Sequence, residues 1–190
     1  MGCTKRLAEL LVLYEGSKSD IHCVITRFGN VLGSNGSVIP LFKQQIERGG
    51  PITVTDAEVT RYFMTIPEAV SLVLEASALG EKNNVFVFDM GESVRILDLA
   101  NKMIALAGME MGRDIEVVIT GLRPGEKMHE ELLSLQEHLL PTHHEKIMRA
   151  ETPGTLTTAG MAAIASLASD QGNHRATREL LIRLIPEYKV

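Results

Sequence analysis

The sequence lacks several features that would place a protein in a large class at once. It has no long run of Lys or Arg and a net charge of −5. Nucleic-acid backbones are bound by concentrated basic surfaces, so we expect no nucleic-acid partner. No apolar stretch approaches the roughly 20 residues that span a bilayer, and no signal-peptide core opens the chain. We therefore expect this chain to be soluble and cytoplasmic.

Cysteine is scarce, and the histidines form no metal pattern. Cys3 and Cys23 lie in apolar stretches without metal-ligand spacing, which predicts buried, reduced thiols. Four other residues suggest a metal site at first sight: His138, His143, His144 and Glu145. Their spacing matches no closed zinc site, and neighbouring histidines on a strand would point to opposite faces. We expect no metal.

The chain has enough apolar residues, 45% of 190, for one core and a small second lobe. Hydrophobic periodicity alternates between strand and helix, which predicts an α/β fold with a parallel or mixed sheet. Strands are predicted at residues 21–27, 52–54, 62–65, 84–89 and 115–120, and helices at 4–14, 38–48, 67–79, 96–107, 156–168 and 175–185. Composition shifts to Ala, Thr and Ser after Pro153-Gly154, so residues 151–190 are predicted as a helical tail on a domain of residues 1–150.

A glycine-rich loop is one candidate site for an anionic ligand. It runs from Gly29 to Gly36 and leads directly into the helix that starts near Ser37. Small residues let the backbone approach a ligand, and a helix N-terminus favours an anion or a polar base edge. The alternative is a flexible connection between a strand and a helix.

Two arginines are further candidates, because a net-acidic protein needs local donors to hold an anion. Arg61 precedes an apolar stretch at the edge of a predicted strand, and Arg123-Pro124-Gly125-Glu126 is typical of a tight turn. The alternatives are a surface cation at 61 and an ordinary ion pair within the turn. His129 and Glu130 follow that turn and are predicted to have helix-capping or surface roles.

Ordered motifs then give the chain a family resemblance. The motifs are Met1-Gly2-Cys3-Thr4-Lys5, residues 27–34, residues 36–42, Thr60-Arg61-Tyr62-Phe63-Met64, and residues 121–127. They resemble the C-terminal half of the bacterial polysaccharide-biosynthesis dehydratases, the UDP-N-acetylglucosamine 4,6-dehydratase family of extended short-chain dehydrogenases. The resemblance runs to about residue 140 and resumes weakly at 183–188. It implies the C-terminal part of a Rossmann-like fold, with a small substrate-binding lobe.

The resemblance also implies roles around an NAD cofactor. Lys5 would hold the nicotinamide ribose, with Phe28 beside the cofactor, and Met1 stands where most relatives have a catalytic tyrosine. A thioether can neither give nor take a proton. The acid and base then belong to a Thr-Asp-Lys-like segment, which is absent from this sequence, as is the Gly-x-x-Gly-x-x-Gly turn. We expect a truncated product or an excised domain that is inactive alone, with NAD bound mainly by the full-length enzyme.

The substrate implied by the resemblance is a UDP-sugar. Its binding residues would be Arg61 and Arg123 at the diphosphate, Glu126 at the uridine ribose, Asn30 near the diphosphate or sugar, and backbone groups of Ser37, Val38 and Ile39 near the uracil. The intact enzyme would remove water from a UDP-N-acetylhexosamine in an NAD-dependent reaction. Its 4-keto-6-deoxy product would serve capsule, O-antigen or glycan assembly.

Two other functions stay open at this point. One is a nucleotide-sugar epimerase of the same superfamily, and the other is a non-catalytic UDP-sugar-binding module. The sequence does not fix the sugar, the configuration at C5 or the oligomeric state. A half-sheet with an exposed edge predicts a homo-oligomer unless the tail helices cover it. Some family members carry a membrane anchor, which would place the intact protein at the cytoplasmic face of the inner membrane.

Overall fold

The computed structural model describes residues 2–34, 36–79, 82–132, 137–151, 156–169 and 174–185. The helices are α1 (Gly2–Lys18), α2 (Val38–Glu47), α3 (Ile66–Ala78), α4 (Ile96–Leu106), α5 (Thr158–Ser169) and α6 (His174–Leu184). The strands are β1 (Val24–Arg27), β2 (Asn30–Val31), β3 (Ile52–Val54), β4 (Thr60–Arg61), β5 (Phe63–Met64), β6 (Asn84–Phe88), β7 (Val94–Arg95), β8 (Val117–Ile119), β9 (His138–Pro141) and β10 (Ile147–Glu151). The predicted α/β class is confirmed.

The chain divides into two compact units. Unit 1 comprises Met1–Thr26, Ala76–Val87 and Leu133–Val190, and unit 2 comprises Arg27–Glu75 and Phe88–Leu132. The domain boundary near residue 150 stays a prediction.

Unit 1 contains the strand order β1-β6-β10-β9 and the helices at both ends of the chain. The tail helices α5 and α6 pack with α1 around a cluster that includes Leu10, Tyr14, Leu156 and Ile185. The longest described helix is α1, with 17 residues, and no helix in the described part of the chain could cross a bilayer.

The antiparallel hairpin of β9 and β10 was not predicted. Its turn contains His143 and His144, and the Thr142 hydroxyl fastens it by donating to the Ile147 carbonyl at 2.6 Å. The same hydroxyl oxygen accepts the His144 N–H at 3.1 Å. The assumption that these two histidines lie on a strand is therefore wrong. Among the described residues, no group of three or more His, Cys, Asp or Glu is placed to hold a metal ion.

Unit 2 is built around the parallel pair of β3 and β8, in which Ile52 lies opposite Val117. Helix α4 buries Ile96, Ala100 and Ile104. Their spacing of four residues places them along one face, which packs into the same core cluster as Ile52. The helix predicted at 96–107 is therefore confirmed, within one residue at its end.

The predicted strands were less accurate than the predicted helices. Residues 52–54 form β3 with the bounds expected, but residues 21–23 are not strand, since Ile21 is 66% exposed and follows a turn. Within the predicted strand at 62–65, only Phe63–Met64 is strand, as β5, and the separate strand β4 just before it was not predicted. The two strands pair with different partners. The short strands β2 and β7 were not predicted, because a strand of two residues is too short to show an alternation of apolar and polar side chains.

Candidate functional site

Short strands of unit 2 bring two predicted ligand residues to neighbouring positions. Asn30 on β2 lies opposite Phe63 on the parallel strand β5. Arg61 on β4 is two residues before Phe63 in the chain, and it lies opposite Val94 of the antiparallel strand β7. The stretch from Arg61 to Phe63 therefore joins two separate strand pairs, one on each side of Tyr62.

Gly29 allows β2 to approach this stretch. A Cβ atom on Gly29 would lie 2.8 Å from the Tyr62 Cβ and 3.0 Å from the Tyr62 carbonyl oxygen. Both distances are shorter than ordinary contacts, so a larger residue would push the loop away. Asn30 then donates its backbone N–H to the same Tyr62 carbonyl at 2.9 Å. This close packing, rather than loop flexibility, explains the glycine.

The turn predicted at Arg123-Pro124-Gly125-Glu126 is confirmed. The Glu126 N–H donates to the Arg123 carbonyl at 2.9 Å, and Gly125 has a φ of +79°. The Arg123 N–H donates in return to Glu126 Oε2 at 3.2 Å. The turn leaves the Arg123 side chain exposed and the Glu126 carboxylate half-buried.

The Arg61 guanidinium lies against this turn, with its side chain only 14% exposed. Its Nη1 donates to the carbonyls of Thr60 and Met128 at 2.7 and 3.1 Å. Its Nη2 donates to Glu126 Oε1 at 3.3 Å, and its Nε is 3.8 Å from Glu130 Oε1. We call Arg61, Arg123, Glu126 and Glu130 the Arg61 cluster. The structure thus brings together Arg61, Glu126 and the backbone of Arg123, the three residues that the family resemblance assigns to a nucleoside diphosphate.

Further contacts, which the sequence did not reveal, fasten the turn to β4 and its neighbourhood. The Thr60 N–H donates to the Met128 carbonyl at 3.1 Å, and the Thr60 hydroxyl is 2.8 Å from His129 Nδ1. The Thr55 hydroxyl donates to Glu126 Oε1 at 3.0 Å. Of the two roles expected of His129 and Glu130, helix capping is wrong, because the described residues after the turn form no helix. His129 is exposed as a surface residue and Glu130 is half-buried, and both contact β4.

The start of α2 provides a second group of polar atoms in unit 2. Ser37 is the N-cap residue, with φ −78° and ψ 167°, but its hydroxyl makes no capping bond. Within the described residues, the Ser37 Oγ is buried without a hydrogen-bond partner. The first N–H groups of any α-helix have no partner inside the helix, so those of Val38 and Ile39 belong to this group.

The cofactor residues implied by the resemblance are placed elsewhere or serve packing. Lys5 is an exposed residue of α1 in unit 1, and Met1 lies outside the described residues. The Phe28 ring stacks on Phe88, with centroids 5.5 Å apart and planes 8° from parallel. Phe88 is 1% exposed, so one face of Phe28 is occupied by the protein core.

A shallow open depression of about 580 Å³ also lies in unit 2. Its lining includes Ala57, Leu97, Met111 and Val117, and it contains no residue of the Arg61 cluster. Since this lining has one carboxylate and no cation, it does not suit a diphosphate. The geometry of hydrogen bonds therefore identifies the candidate site better than surface concavity does.

The fold first places the chain in a structural class. The chain has the Rossmann-like fold of the extended short-chain dehydrogenases, which it shares with the solved structure of Pen from Bacillus thuringiensis at a TM-score of 0.67 and 36% identity. That match covers 80% of this chain and 47% of Pen. A dTDP-glucose 4,6-dehydratase from Bacillus anthracis, solved in complex with NAD, shares the fold alone, at a TM-score of 0.55 and 18% identity over 64% of this chain and 39% of that one.

This chain belongs to the family described as "Polysaccharide biosynthesis protein", whose profile matches residues 1–152. It is 54% identical over 147 residues to the probable polysaccharide biosynthesis protein EpsC of Bacillus subtilis. It is 52% identical over 159 residues to the capsular polysaccharide biosynthesis protein CapD of Staphylococcus aureus. These matches cover 77% and 83% of this chain but only 24% and 26% of the relatives, so it spans about a quarter of their length.

Proposed function

We propose that this chain is the substrate-binding portion of an NAD-dependent nucleotide-sugar 4,6-dehydratase acting on UDP-N-acetylglucosamine in capsule, O-antigen or glycan biosynthesis. Membership of the polysaccharide biosynthesis family and the similarity to a capsule protein support the pathway. The observation that carries the proposal is the convergence of Arg61, Arg123 and Glu126 in one hydrogen-bonded cluster.

Arg123 is the residue best placed to bind the diphosphate. Its side chain is exposed, and its guanidinium forms no ion pair with any residue in the described part of the chain. A guanidinium offers five N–H donors in a planar fork that matches two phosphate oxygens. Because the tight turn already fixes the backbone of Arg123, binding would cost only the conformational entropy of its side chain.

Glu126 is suited to accept the ribose hydroxyls. Its Oε1 already accepts from Thr55 and Arg61 and its Oε2 from the Arg123 N–H, so the carboxylate is held in one orientation. A carboxylate has about four lone-pair sites, which leaves capacity for one further donor.

The remaining substrate contacts in the proposal come from Asn30 and from the backbone at Ser37, Val38 and Ile39. The N–H groups at the start of α2 can bind the polar edge of a uracil, and the unpartnered Ser37 hydroxyl lies among them. Asn30 is held next to the Arg61 stretch by its strand pairing, which suits a contact to the diphosphate or sugar.

The residues present fit NAD only in part. Bound NAD would accept a hydride from the sugar C4 and return it to C6 after water is lost across C5 and C6. The exposed Lys5 ammonium is free within the described residues to bind ribose hydroxyls. This sequence contains no Gly-x-x-Gly-x-x-Gly turn for the pyrophosphate and no acid-base segment. We therefore expect no turnover by this chain with UDP-N-acetylglucosamine and added NAD.

A nucleotide-sugar epimerase is the second candidate. A UDP-glucose 4-epimerase of Rickettsia canadensis is 35% identical to this chain over 140 residues, which cover 72% of this chain and 40% of the epimerase. Both activities use the same binding residues, so they differ in the product: a 4-keto-6-deoxy sugar or the C4 epimer. A purely UDP-sugar-binding module would yield neither.

The binding part of the proposal is tested by calorimetric titration of the chain with UDP. We expect wild type to bind, and Arg123→Ala to bind more weakly by about 1.5–3 kcal/mol, or roughly 10- to 150-fold, because one charge-assisted contact is lost. Arg113→Ala is the matched control, since Arg113 is a 76% exposed arginine of the same unit whose ion pairs are local. Its affinity for UDP should equal that of wild type.

Two results would count against the proposal. If wild type gives no binding heat with UDP, the chain does not carry the nucleotide site. If Arg123→Ala and Arg113→Ala bind UDP equally well, the UDP site is not at the Arg61 cluster.

A further inference from the structure

Glu130 is a partly buried carboxylate to which the proposed binding scheme gives no role. Its side chain is 29% exposed, and its Oε2 is buried without a hydrogen-bond partner among the described residues. Keeping such an atom from water is costly, so residues in this state usually have a functional or positional reason. It forms an ion pair with the Arg61 guanidinium, whose Nε is 3.8 Å from Glu130 Oε1.

The hydrogen bonds of Arg61 show what this carboxylate can do. Both Nη1 hydrogens are used by the carbonyls of Thr60 and Met128, and one Nη2 hydrogen by Glu126. The Nε contact to Glu130 is longer than a hydrogen bond, so it acts as charge attraction. Within the described residues, Arg61 thus keeps one Nη2 hydrogen and the Nε hydrogen for other acceptors.

The two carboxylates act on different edges of the same guanidinium. Glu126 attracts the Nη2 end, and Glu130 attracts the Nε edge. The two carbonyls hold the Nη1 end in place, and carboxylates hold the Nη2 end and the Nε edge. Without Glu130, the guanidinium could tilt about its bonds to those carbonyls, and the Nη2 contact that orients Glu126 would weaken.

We propose that Glu130 is a positioning residue, which holds the Arg61 guanidinium by its Nε edge and through it orients the Glu126 carboxylate. This rests on the proposed function only for its consequence, which is tighter binding of a nucleoside diphosphate. Glu130 itself touches no ligand in this account, because its unpartnered oxygen is buried.

The experiment uses two readouts on the 190-residue chain, one with ligand and one without. The ligand-free readout is the Nε–Hε NMR signal of Arg61, assigned by its disappearance in Arg61→Lys. The second readout is UDP affinity by calorimetry. Glu130→Gln keeps the shape and removes the charge, and Glu131→Gln is the control, since Glu131 is 65% exposed and pairs with Lys127.

We expect Glu130→Gln to shift the Arg61 Nε–Hε signal and to weaken UDP binding roughly three- to tenfold. Glu131→Gln should leave both unchanged. In an Arg61→Lys background, Glu130→Gln should cause no further loss, because the partner through which it acts is gone. A merely structural role would lower thermal stability without this dependence on Arg61. If Glu130→Gln does not fold, Glu130→Asp, with the charge on a shorter stem, is measured in the same way and should weaken UDP binding less than Arg61→Lys.

The outcomes separate the two proposals. An unmoved Nε–Hε signal in Glu130→Gln overturns the positioning role, whether or not UDP binds. A moved signal without UDP binding to wild type leaves the positioning intact and rejects the proposed function. A moved signal with unchanged UDP affinity overturns the claim that the positioning serves binding.

Discussion

Among the described residues of unit 2, three arginines each pair with two carboxylates, and two of them, Arg61 and Arg113, differ most in burial and in the sequence distance to their partners. Arg113 pairs with Glu110 at 2.9 Å and with Asp114 at 3.7 Å, all within one exposed turn. Its side chain is 76% exposed, whereas that of Arg61 is 14% exposed. Arg61 pairs with a glutamate 65 residues further along the chain.

The same residue types therefore contribute differently to stability at the two positions. Exposed local ion pairs contribute little, because water screens them and the turn already holds the partners together. At Arg61 the charges are partly desolvated, and the pairs fasten the turn that carries Arg123 to a strand. Burial and sequence separation, rather than charge pattern, decide which group can orient a ligand.

Removing each arginine should give the largest contrast. Arg61→Ala leaves two partly buried carboxylates and two backbone carbonyls without their donor, so we expect the free energy of unfolding to fall by about 2–3 kcal/mol. Arg113→Ala should change it by about 0.5 kcal/mol or less. Urea denaturation of both variants measures the difference. Equal losses would show that the two groups are energetically alike.

Glycine substitutions test the same difference between the two turns through their backbones. Gly125 has φ +79° and Gly112 has φ +81°, and a Cβ on either would meet no atom within 4 Å. Alanine at either position should cost about 1 kcal/mol of stability, because the left-handed conformation is strained for it. Only Gly125→Ala should also weaken UDP binding, since its turn positions Arg123 and Glu126. Calorimetry on both variants tests this, and a weakening in Gly112→Ala would undo the distinction.

The smallest effect is expected at the exposed Arg95–Asp98 pair of unit 2. Two hydrogen bonds from Arg95, at 3.0 and 3.1 Å, lower the pKa of Asp98 below its ordinary value of 3.8. A lowered folded-state pKa means that the contribution to stability is present above the unfolded-state pKa and is lost as the pH falls through the folded-state pKa. Asp98→Asn should therefore be slightly less stable than wild type at neutral pH, and the difference should vanish in acid. An Asp98 carboxyl that titrates in NMR at or above its ordinary pKa would contradict this.

Helices and motifs could be predicted from this sequence because their signals are local. The spacing of Ile96, Ala100 and Ile104 indicates a buried helix face, and Pro124-Gly125 indicates a tight turn. The motifs around Arg61 and Arg123 then pointed to the residues that the structure brings together. Family membership is shown by the comparisons, whereas the roles of these residues in binding stay predictions.

Long-range partners could not be predicted in the same way. Nothing near Thr60 in the sequence shows that its hydroxyl meets His129, or that Glu130 approaches Arg61. The hairpin of β9 and β10 was missed because His143 and His144 were taken for strand residues. They lie in a turn that is held by two hydrogen bonds of the Thr142 hydroxyl, and the sequence does not show these bonds. Such contacts depend on where loops fold back, which hydrophobic periodicity does not encode.

In our proposal the Arg61 cluster, and not the exposed group around Arg113, binds a uridine diphosphate. Titration of the ¹⁵N-labelled chain with UDP, followed through its backbone amide signals, tests it most directly. We expect saturable shifts at Asn30, at residues 37–39, at Arg61 and at Arg123, Gly125 and Glu126, with residues 110–114 unchanged. Shifts confined to residues 110–114, or none at all with saturating UDP, would contradict it.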